Sequence, residues 1–223
     1  MDILVTVPKA KSGVYPIYFQ AEGRKIRSGI ILKVGSIATP KLSEFAKNNA
    51  PAFSYVQDYN LHPKKPLTSK KIDRTLVYHL GGNMMNYKWS INGQYWPNVK
   101  PEFVKKGERV KIVIYNDSGM AHPMHFHGHV FQLVGINGHK IDGYKGNTVV
   151  VLPKSKVSLV FDANDPGIWA FHCHLLYHLG AGMMTTINYA SITPKKFYLN
   201  KIGMTLSQYN SLKKQEMEQN TEK

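Results

Sequence analysis

Two histidine clusters, whose first members lie fifty positions apart, constrain the fold of this 223-residue chain more than any other feature. Together they contain eight side chains that can bind a transition metal: His122, His125, His127, His172, Cys173, His174, His178 and Met183. Because Cys173 is the only cysteine, it has no partner for an internal disulfide, and its thiol is available to a metal. The fold must therefore bring two distant segments of the chain together.

The His-Cys-His triplet predicts that one strand serves two sites. Neighbouring side chains in a β-strand point to opposite faces of the sheet, so His172 and His174 share a face and Cys173 points to the other. The same alternation separates His122 from the two later histidines of its own cluster, which share a face with each other. Pairing of the two segments would place His122 beside Cys173 and gather the other imidazoles on the opposite face.

The donor types on the two faces predict copper at both. Two histidines and a cysteine with a weakly bound methionine, here His122, Cys173, His178 and Met183, are the ligands of a blue-copper electron-transfer centre. The opposite face offers imidazoles alone, which suit copper that also binds oxygen-derived ligands. An electron that reaches the thiolate of Cys173 has a short covalent path into the second site through either neighbouring histidine.

The run His-Cys-His-Leu-Leu-Tyr-His from His172 to His178, followed by Gly182-Met183-Met184, resembles the C-terminal cupredoxin domain of multicopper oxidases, and within them the bacterial copper-resistance branch. The resemblance implies three ligand sets: His122, Cys173 and His178 with axial Met183 for type 1 copper, His125 for type 2 copper, and His127, His172 and His174 for the type 3 pair. It also implies that Cys173, His172 and His174 are the catalytic residues, because they connect the sites.

The resemblance further implies a four-copper enzyme with two substrates. A small reductant, either Cu(I) or a phenol, is oxidised at type 1 copper, and dioxygen is reduced to water at a trinuclear cluster. In the family, half of the trinuclear ligands come from two His-x-His pairs in an N-terminal domain, and no such pair precedes His122 here. The chain also has Leu179 where many relatives carry an acidic residue that helps to deliver protons. We therefore expect a truncated chain whose missing histidine pairs come from upstream sequence or from a partner chain.

Two other functions are compatible with the sequence. The chain can be an electron carrier that uses only the type 1 site, or an inactive fragment that keeps the motif without the chemistry. Inheritance of the whole domain favours the oxidase, whereas the absent His-x-His pairs favour the alternatives for the isolated chain.

Short apolar segments separated by turn residues predict an all-β fold. Eight strands are expected in the copper-binding part, at residues 75–80, 87–91, 109–115, 129–134, 148–152, 156–161, 169–172 and 184–189. With the resemblance, they predict a cupredoxin-like Greek-key β-sandwich or barrel with a short C-terminal helical extension. The expected domains are a partial cupredoxin at 1–34, the end of a middle domain; a linker at 35–71; the C-terminal cupredoxin domain with the copper ligands at 72–192; and a helical tail at 193–223.

Both ends of the chain carry further predictions. Strands are expected at residues 1–8, 13–18 and 29–34. A helix capped by Thr205 is expected to cover Leu206, Tyr209 and Leu212, whose spacing gives a narrow apolar stripe. We interpret this segment as a surface helix with a frayed end, and a helix that docks on a partner is the alternative.

Aromatic residues and methionines near the clusters are expected to pack. Trp169 and Phe171 are predicted to lie beneath the copper strand, where an aromatic ring can also screen a metal from water. The scattered methionines can offer thioethers to Cu(I), but we favour a packing role for them. They are Met84, Met85, Met120, Met124 and Met184.

The chain is strongly basic, with 29 basic and 14 acidic side chains and a formal net charge of +15. The lysines are dispersed and no nucleic-acid motif accompanies them, so we expect a solvated basic surface and no specific nucleic acid. Attraction to an anionic membrane surface or partner is the alternative. No apolar stretch is long enough for a transmembrane segment, and the first residues lack the layout of a signal peptide. The family resemblance nevertheless implies a periplasmic location.

Overall fold

The computed structural model of the protein describes Thr6, Lys9 and residues 12–219. The chain divides into two compact units, Asp2–Tyr55 and Val56–Lys223. This division falls within the segment predicted as a linker, and the domain limits derived from the sequence stay a prediction. The strand expected at residues 1–8 lies outside the described residues, apart from Thr6.

The first unit is built on a β-hairpin. Strand β1 (Gly13–Gln20) pairs antiparallel with β2 (Arg27–Val34) along the full length of both strands. Both strands include the segments that the sequence predicts, because their β-branched and aromatic residues fit a pleated surface. Phe19 and Ile30 are 60% and 61% exposed, so the hairpin presents large apolar side chains to solvent.

The second unit contains all the other elements described. In chain order they are α1 (Val56–Asn60), β3 (Arg74–Asn83), β4 (Lys88–Ile91), β5 (Glu102–Val104), β6 (Arg109–Asn116), β7 (His122–Phe126), β8 (Phe131–Ile136), β9 (His139–Lys140), β10 (Lys145–Gly146), β11 (Thr148–Val151), β12 (Lys156–Asp162), β13 (Ile168–Cys173), α2 (Leu176–Gly180), β14 (Met184–Tyr189), α3 (Lys196–Lys201) and α4 (Leu206–Gln219).

The strands of this unit form two sheets packed face to face. One has the order β10-β8-β12-β6-β3-β4, with β9 paired to β8, and the other has the order β11-β7-β13-β14-β5. Tyr78 of β3 stacks on Phe171 of β13, with ring centroids 4.9 Å apart, and Phe126 of β7 meets Phe161 of β12 edge to face. The predicted all-β cupredoxin-like sandwich is confirmed, and the sheets of the described residues do not close into a barrel.

Strand β3 illustrates why these segments fold as strands. Leu76, Tyr78 and Leu80 are buried, whereas the intervening Thr75, Val77 and His79 are exposed. This alternation matches the two-residue period of a strand with one face on the core. The same reasoning holds for β12, whose alternate positions point into the space between the sheets.

The C-terminal helices pack against the sandwich through a second hydrophobic core. Thr205 and Gln208 form reciprocal side-chain to backbone hydrogen bonds at the start of α4, so the predicted cap is confirmed. Tyr209 is fully buried and meets Phe103 of β5 at 5.2 Å between ring centroids. The helix therefore belongs to the folded unit. In the described part of the chain, no helix is both long and apolar enough to cross a membrane.

The methionines do not all pack as predicted. Met124 is fully buried, which confirms its packing role. The packing predicted for Met84 and Met85 is wrong, because they are 59% and 97% exposed. They lie at the turn between β3 and β4, where Asn83 accepts hydrogen bonds from the backbone of the turn and holds it away from the core.

Candidate metal centre

The two histidine clusters meet because β7 pairs antiparallel with β13. In this register His125 lies opposite His172, and Met124 lies opposite Cys173. Residues that face each other across a ladder point to the same side of the sheet, so His125 and His172 share one face. Met124 and Cys173, both fully buried, occupy the other face. One pair of strands thus supplies donors to two sites on its two sides.

The closed site consists of His122, Cys173 and His178. The sulfur of Cys173 lies 3.7 Å from Nδ1 of His122 and 3.7 Å from Nδ1 of His178. The two Nδ1 atoms are 3.0 Å apart. All three residues are buried, and no other group of three histidine, cysteine or acidic donors converges as closely within the described residues.

This triangle has the size that a bound copper ion needs. Its centre lies about 2 Å from each donor atom, close to the roughly 2.0–2.3 Å that metal bonds to imidazole nitrogen and thiolate sulfur span. One soft sulfur and two imidazole nitrogens in a trigonal arrangement are the donor set of electron-transfer copper. The residues present therefore fit copper.

Helix α2 and the turn after it bring His178 back to Cys173. His178 lies inside this five-residue helix and is buried. The backbone N–H of Met183 donates to the carbonyl of His178, and the N–H of Cys173 donates to the carbonyl of Met183. Gly182, with φ of +114°, makes the turn that these bonds require. Met183 is itself fully buried.

Burial keeps the closed site neutral when no metal is bound. Desolvation, helped by the neighbouring His178, lowers the pKa of His122 to about 4. Burial raises the pKa of the Cys173 thiol to about 11, against a smaller opposite effect of a backbone hydrogen bond from Leu175. Since a metal binds the thiolate, binding here releases the thiol proton.

A serine fixes the ring of His122. The Nε2 atom of His122 lies 2.8 Å from Oγ of the buried Ser118. This contact occupies the ring nitrogen that points away from Cys173 and leaves Nδ1 free for a metal. Such hydrogen bonds set the tautomer and orientation of metal-binding histidines.

Trp89 completes the wall of the closed site, and the sequence does not predict it. Its indole stacks on the ring of His178, with centroids 4.2 Å apart, and meets the ring of His122 edge-on at 5.2 Å. The sequence predicts packing beneath the copper strand for Trp169 and Phe171, with screening of a metal as a further possibility. Phe171 is buried in the core, and the indole of Trp169 donates to the carbonyl of Asp165. No spacing rule links Trp89 to His178, because the two meet only through tertiary packing.

The open site consists of the four remaining imidazoles, His125, His127, His172 and His174. Nε2 of His127 lies 2.9 Å from Nε2 of His172, so these two can share one metal ion. The rings of His125 and His174 are 5.4 Å apart, and His127 and His174 are exposed. The site therefore holds one close pair of donors and two separate ones.

Hydrogen bonds fix two rings of the open site. Nδ1 of His172 donates to the carbonyl of Cys173 at 3.0 Å. The hydroxyl of Thr148 donates to Asn147, so at 2.9 Å it can accept from Nδ1 of His125. Both contacts use Nδ1 and leave the Nε2 atoms as the donors that could bind a metal.

A cavity of about 570 Å³ opens beside the open site. Its lining includes His125, His127, Asn147, Asp162 and Asp165. His129 also lines the cavity, and hydrogen bonds engage both of its ring nitrogens: Nε2 lies 2.6 Å from the hydroxyl of Tyr189 and Nδ1 lies 3.3 Å from the carbonyl oxygen of His127. The open site thus faces a polar space large enough for further side chains.

Comparisons with known proteins identify relatives over this same stretch. A family described as "Multicopper oxidase" matches residues 70–191. The chain is 34% identical over 194 residues to multicopper oxidase MmcO of Mycobacterium tuberculosis, covering 84% of this chain and 36% of MmcO. It is 40% identical over 114 residues to a copper resistance protein A homolog of Pseudomonas syringae pv. tomato, covering 51% of this chain and 19% of that protein.

A solved structure supports the same relationship. The multicopper oxidase mgLAC superposes with a TM-score of 0.53 at 28% identity, covering 63% of this chain and 52% of mgLAC. The chain spans 36% or less of the two curated relatives. The family match extends over more than half of the chain and contains both histidine clusters and the closed site. On this basis the chain belongs to the multicopper oxidases, a family of copper-binding oxidoreductases.

Proposed function

We propose that this chain is the C-terminal, copper-binding part of a multicopper oxidase that oxidises Cu(I) or a phenol and passes the electrons to dioxygen. The single observation that carries the proposal is the buried triangle of His122, Cys173 and His178. In this proposal the closed site would hold type 1 copper, and Met183 would be its weak axial ligand. When bound there, copper supplies reversible one-electron transfer.

The open site is proposed as half of the trinuclear cluster. His125 would bind type 2 copper, and His127, His172 and His174 would bind the type 3 pair. The 2.9 Å contact between His127 and His172 supports a shared ion at those two residues. The remaining ligands would come from two His-x-His pairs outside this chain's sequence, either on a longer polypeptide or on a partner chain.

The protein's own part in electron transfer is to connect the two sites. Cys173 contributes its sulfur to the closed site, and its peptide neighbours His172 and His174 face the open site. His172 also donates a hydrogen bond to the Cys173 carbonyl, which gives a second route besides the covalent one. Because Cys173 is fully buried, dissolved oxidants cannot reach its sulfur, and an electron there has few competing acceptors.

The organisation and location of the chain follow from the same proposal. We propose that residues 1–34 end a middle cupredoxin domain, 35–71 link it to the copper-binding domain at 72–192, and 193–223 form a helical tail. The resemblance to the copper-resistance branch implies a periplasmic location, which we propose for this chain.

Copper loading of the purified chain tests the proposal. One equivalent of Cu(II) should give an intense visible thiolate-to-copper absorption that a one-electron reductant bleaches. Met183→Leu should keep the absorption and raise the reduction potential, because the axial ligand tunes this type of centre. A copper-loaded chain without visible absorption would contradict the type 1 assignment, and an unaltered potential in the variant would exclude Met183 as the axial ligand.

An electron carrier that uses only the closed site is the second candidate. It is favoured by the dispersed open site, where only one pair of imidazole donors is in contact. Dioxygen uptake by the fully copper-loaded chain separates the two functions. A carrier exchanges electrons at the closed site and consumes no dioxygen, whereas sustained uptake requires a working cluster.

A further inference from the structure

Trp89 is the large side chain that contacts both imidazoles of the closed site. It is fully buried on β4. The flat face of its indole lies on the ring of His178, with centroids 4.2 Å apart and planes 28° apart. Its contact with His122 is steeper, at 5.2 Å and 67°. The indole therefore stacks its π face on the ring of His178 and contacts the ring of His122 edge-on.

Two glycines make room for Trp89. A Cβ atom at Gly82, its cross-strand neighbour, would lie 2.6 Å from Cε3 of the indole. A Cβ atom at Gly182 would lie 3.0 Å from the carbonyl oxygen of Trp89. Both glycines have positive φ, at +130° and +114°, where other residues are strained. The N–H of Trp89 also donates to the carbonyl of Ala181. The position of the indole is thus fixed from the strand side and from the α2 turn.

The indole occupies this place at a cost. Its Nε1–H is buried and has no hydrogen-bond partner among the described residues. A buried donor without a partner typically costs about 1–3 kcal/mol. A phenylalanine would avoid this cost but would offer a smaller and less electron-rich face. Trp gives the strongest attraction to a cation above its ring.

The electron-rich face has a consequence for a metal at the closed site. Nδ1 of His178 faces Cys173 and His122, so a cation bound there draws electron density out of the imidazole. This effect is larger for cupric than for cuprous ion because the charge is larger. A ring made more positive is attracted more strongly to the indole face beneath it.

We infer that Trp89 is a positioning residue that holds His178 for the metal and lowers the reduction potential of the closed site by stabilising the oxidised state through its π face. This inference rests on the proposed function, since it requires copper at His122, Cys173 and His178. It makes Trp89 a determinant of which reductants can deliver an electron, because a lower potential restricts the site to stronger reductants.

Potentiometric titration of the copper-loaded chain tests the inference in Trp89→Leu and Trp89→Phe. At a fixed applied potential, Trp89→Leu should raise the ratio of reduced to oxidised copper about three- to tenfold, where tenfold corresponds to about 59 mV for one electron. Trp89→Phe should give a smaller rise of the same sign, because it keeps an aromatic face. Trp169→Leu is the matched control, an indole removed away from the closed site, and should leave the ratio unchanged.

The sign of the shift decides between two physical roles. If Trp89 only excludes water, its removal hydrates the cupric site and lowers the potential, and that outcome overturns the inference. An unchanged potential in both variants overturns it as well. If Trp89→Leu does not fold, Trp89→Phe carries the same test. Absence of thiolate absorption in the unsubstituted chain is a separate result, which contradicts the proposed function itself.

Discussion

The closed and open sites lie on the two sides of one strand pair, yet only the closed site is organised by this chain alone. The three donor atoms of the closed site lie within 3.7 Å of one another, whereas the open site brings one pair of imidazoles into contact. The closed site is buried and walled by Trp89, and the open site borders a polar cavity with two of its histidines exposed. One side therefore resembles a finished ligand set and the other an interface that needs further ligands.

The difference has a physical origin in what each side packs against. The side of Cys173 faces the second sheet and the turn after α2, so its donors are held by core packing and backbone hydrogen bonds. On the side of His125 and His172, the neighbouring His127 and His174 are exposed, and single hydrogen bonds orient the rings of His125 and His172. Pre-organised donors bind without rearrangement, and dispersed ones gain their geometry only when the metal and other ligands are present.

The largest expected effect is the loss of visible absorption when the closed site, but not the open site, loses a donor. Cys173→Ser should abolish the visible absorption of the copper-loaded chain, because an alcohol is a poor donor to copper compared with a thiolate. The matched control, His127→Ala, removes an exposed donor of the open site and should leave the band in place. Visible spectra of both variants check this. A band that survives in Cys173→Ser would place the copper elsewhere.

Stability measurements compare the two faces of the strand. Phe171 shares the core face with Cys173 and stacks on Tyr78, so Phe171→Ala should lower the free energy of unfolding by about 3–5 kcal/mol. His174→Ala, at an exposed position on the opposite side, should change it by less than about 0.5 kcal/mol. Urea denaturation of the metal-free proteins measures both. Similar losses in the two variants would contradict the asymmetry.

The free energy of unfolding should also depend on pH through Glu102, a residue that belongs to neither site. The pKa of Glu102 is raised from its usual 4.5 to about 7, mainly by burial and to a smaller extent by the nearby charge of Glu216, with Arg74 acting in the opposite direction. Between these values the unfolded chain has released a proton that the folded chain retains, so stability falls as the pH rises. The shift corresponds to about 2–3 kcal/mol after allowance for partial solvent access.

Replacement of the carboxyl isolates this contribution. Glu102→Gln should flatten the decline in unfolding free energy between pH 4.5 and pH 7 relative to the unsubstituted chain. Both proteins are compared without metal, by denaturant titration at intervals across that range. If their slopes coincide, Glu102 does not titrate as proposed, and any pH dependence of metal binding must be traced to other groups.

The smallest expected effect concerns the hydrogen bonds that orient the rings. Ser118→Ala should weaken copper binding at the closed site about tenfold, because His122 loses the contact that fixes its tautomer. Thr148→Val removes the corresponding contact of His125 and should leave the closed site unaffected. Competition with a chelator, followed through the visible band, measures both affinities. An equal loss in the two variants would mean that the sites are mechanically coupled.

The sequence predicts what depends on local period and misses what depends on packing. The alternation at His172, Cys173 and His174 follows from strand geometry, and the strands and the Thr205 cap follow from short patterns of apolar and turn residues. Helix α2 has five residues, too few for a periodic signal, so the route by which His178 returns is not predictable. Trp89 meets the site from another strand, and only the folded sheets reveal that contact.

The number of residues between Cys173 and Met183 sets the spacing of the donor atoms in the closed site. The two residues lie ten positions apart, and a backbone hydrogen bond joins them. His178 sits near the midpoint of this span, so its height above the sulfur is set by the number of residues on either side. The insertion or deletion of one residue in this span would therefore shift His178 relative to Cys173 and distort the arrangement of the donor atoms. A substitution at an exposed position such as Tyr177 should leave the closed site intact, whereas a change in the length of the span should not.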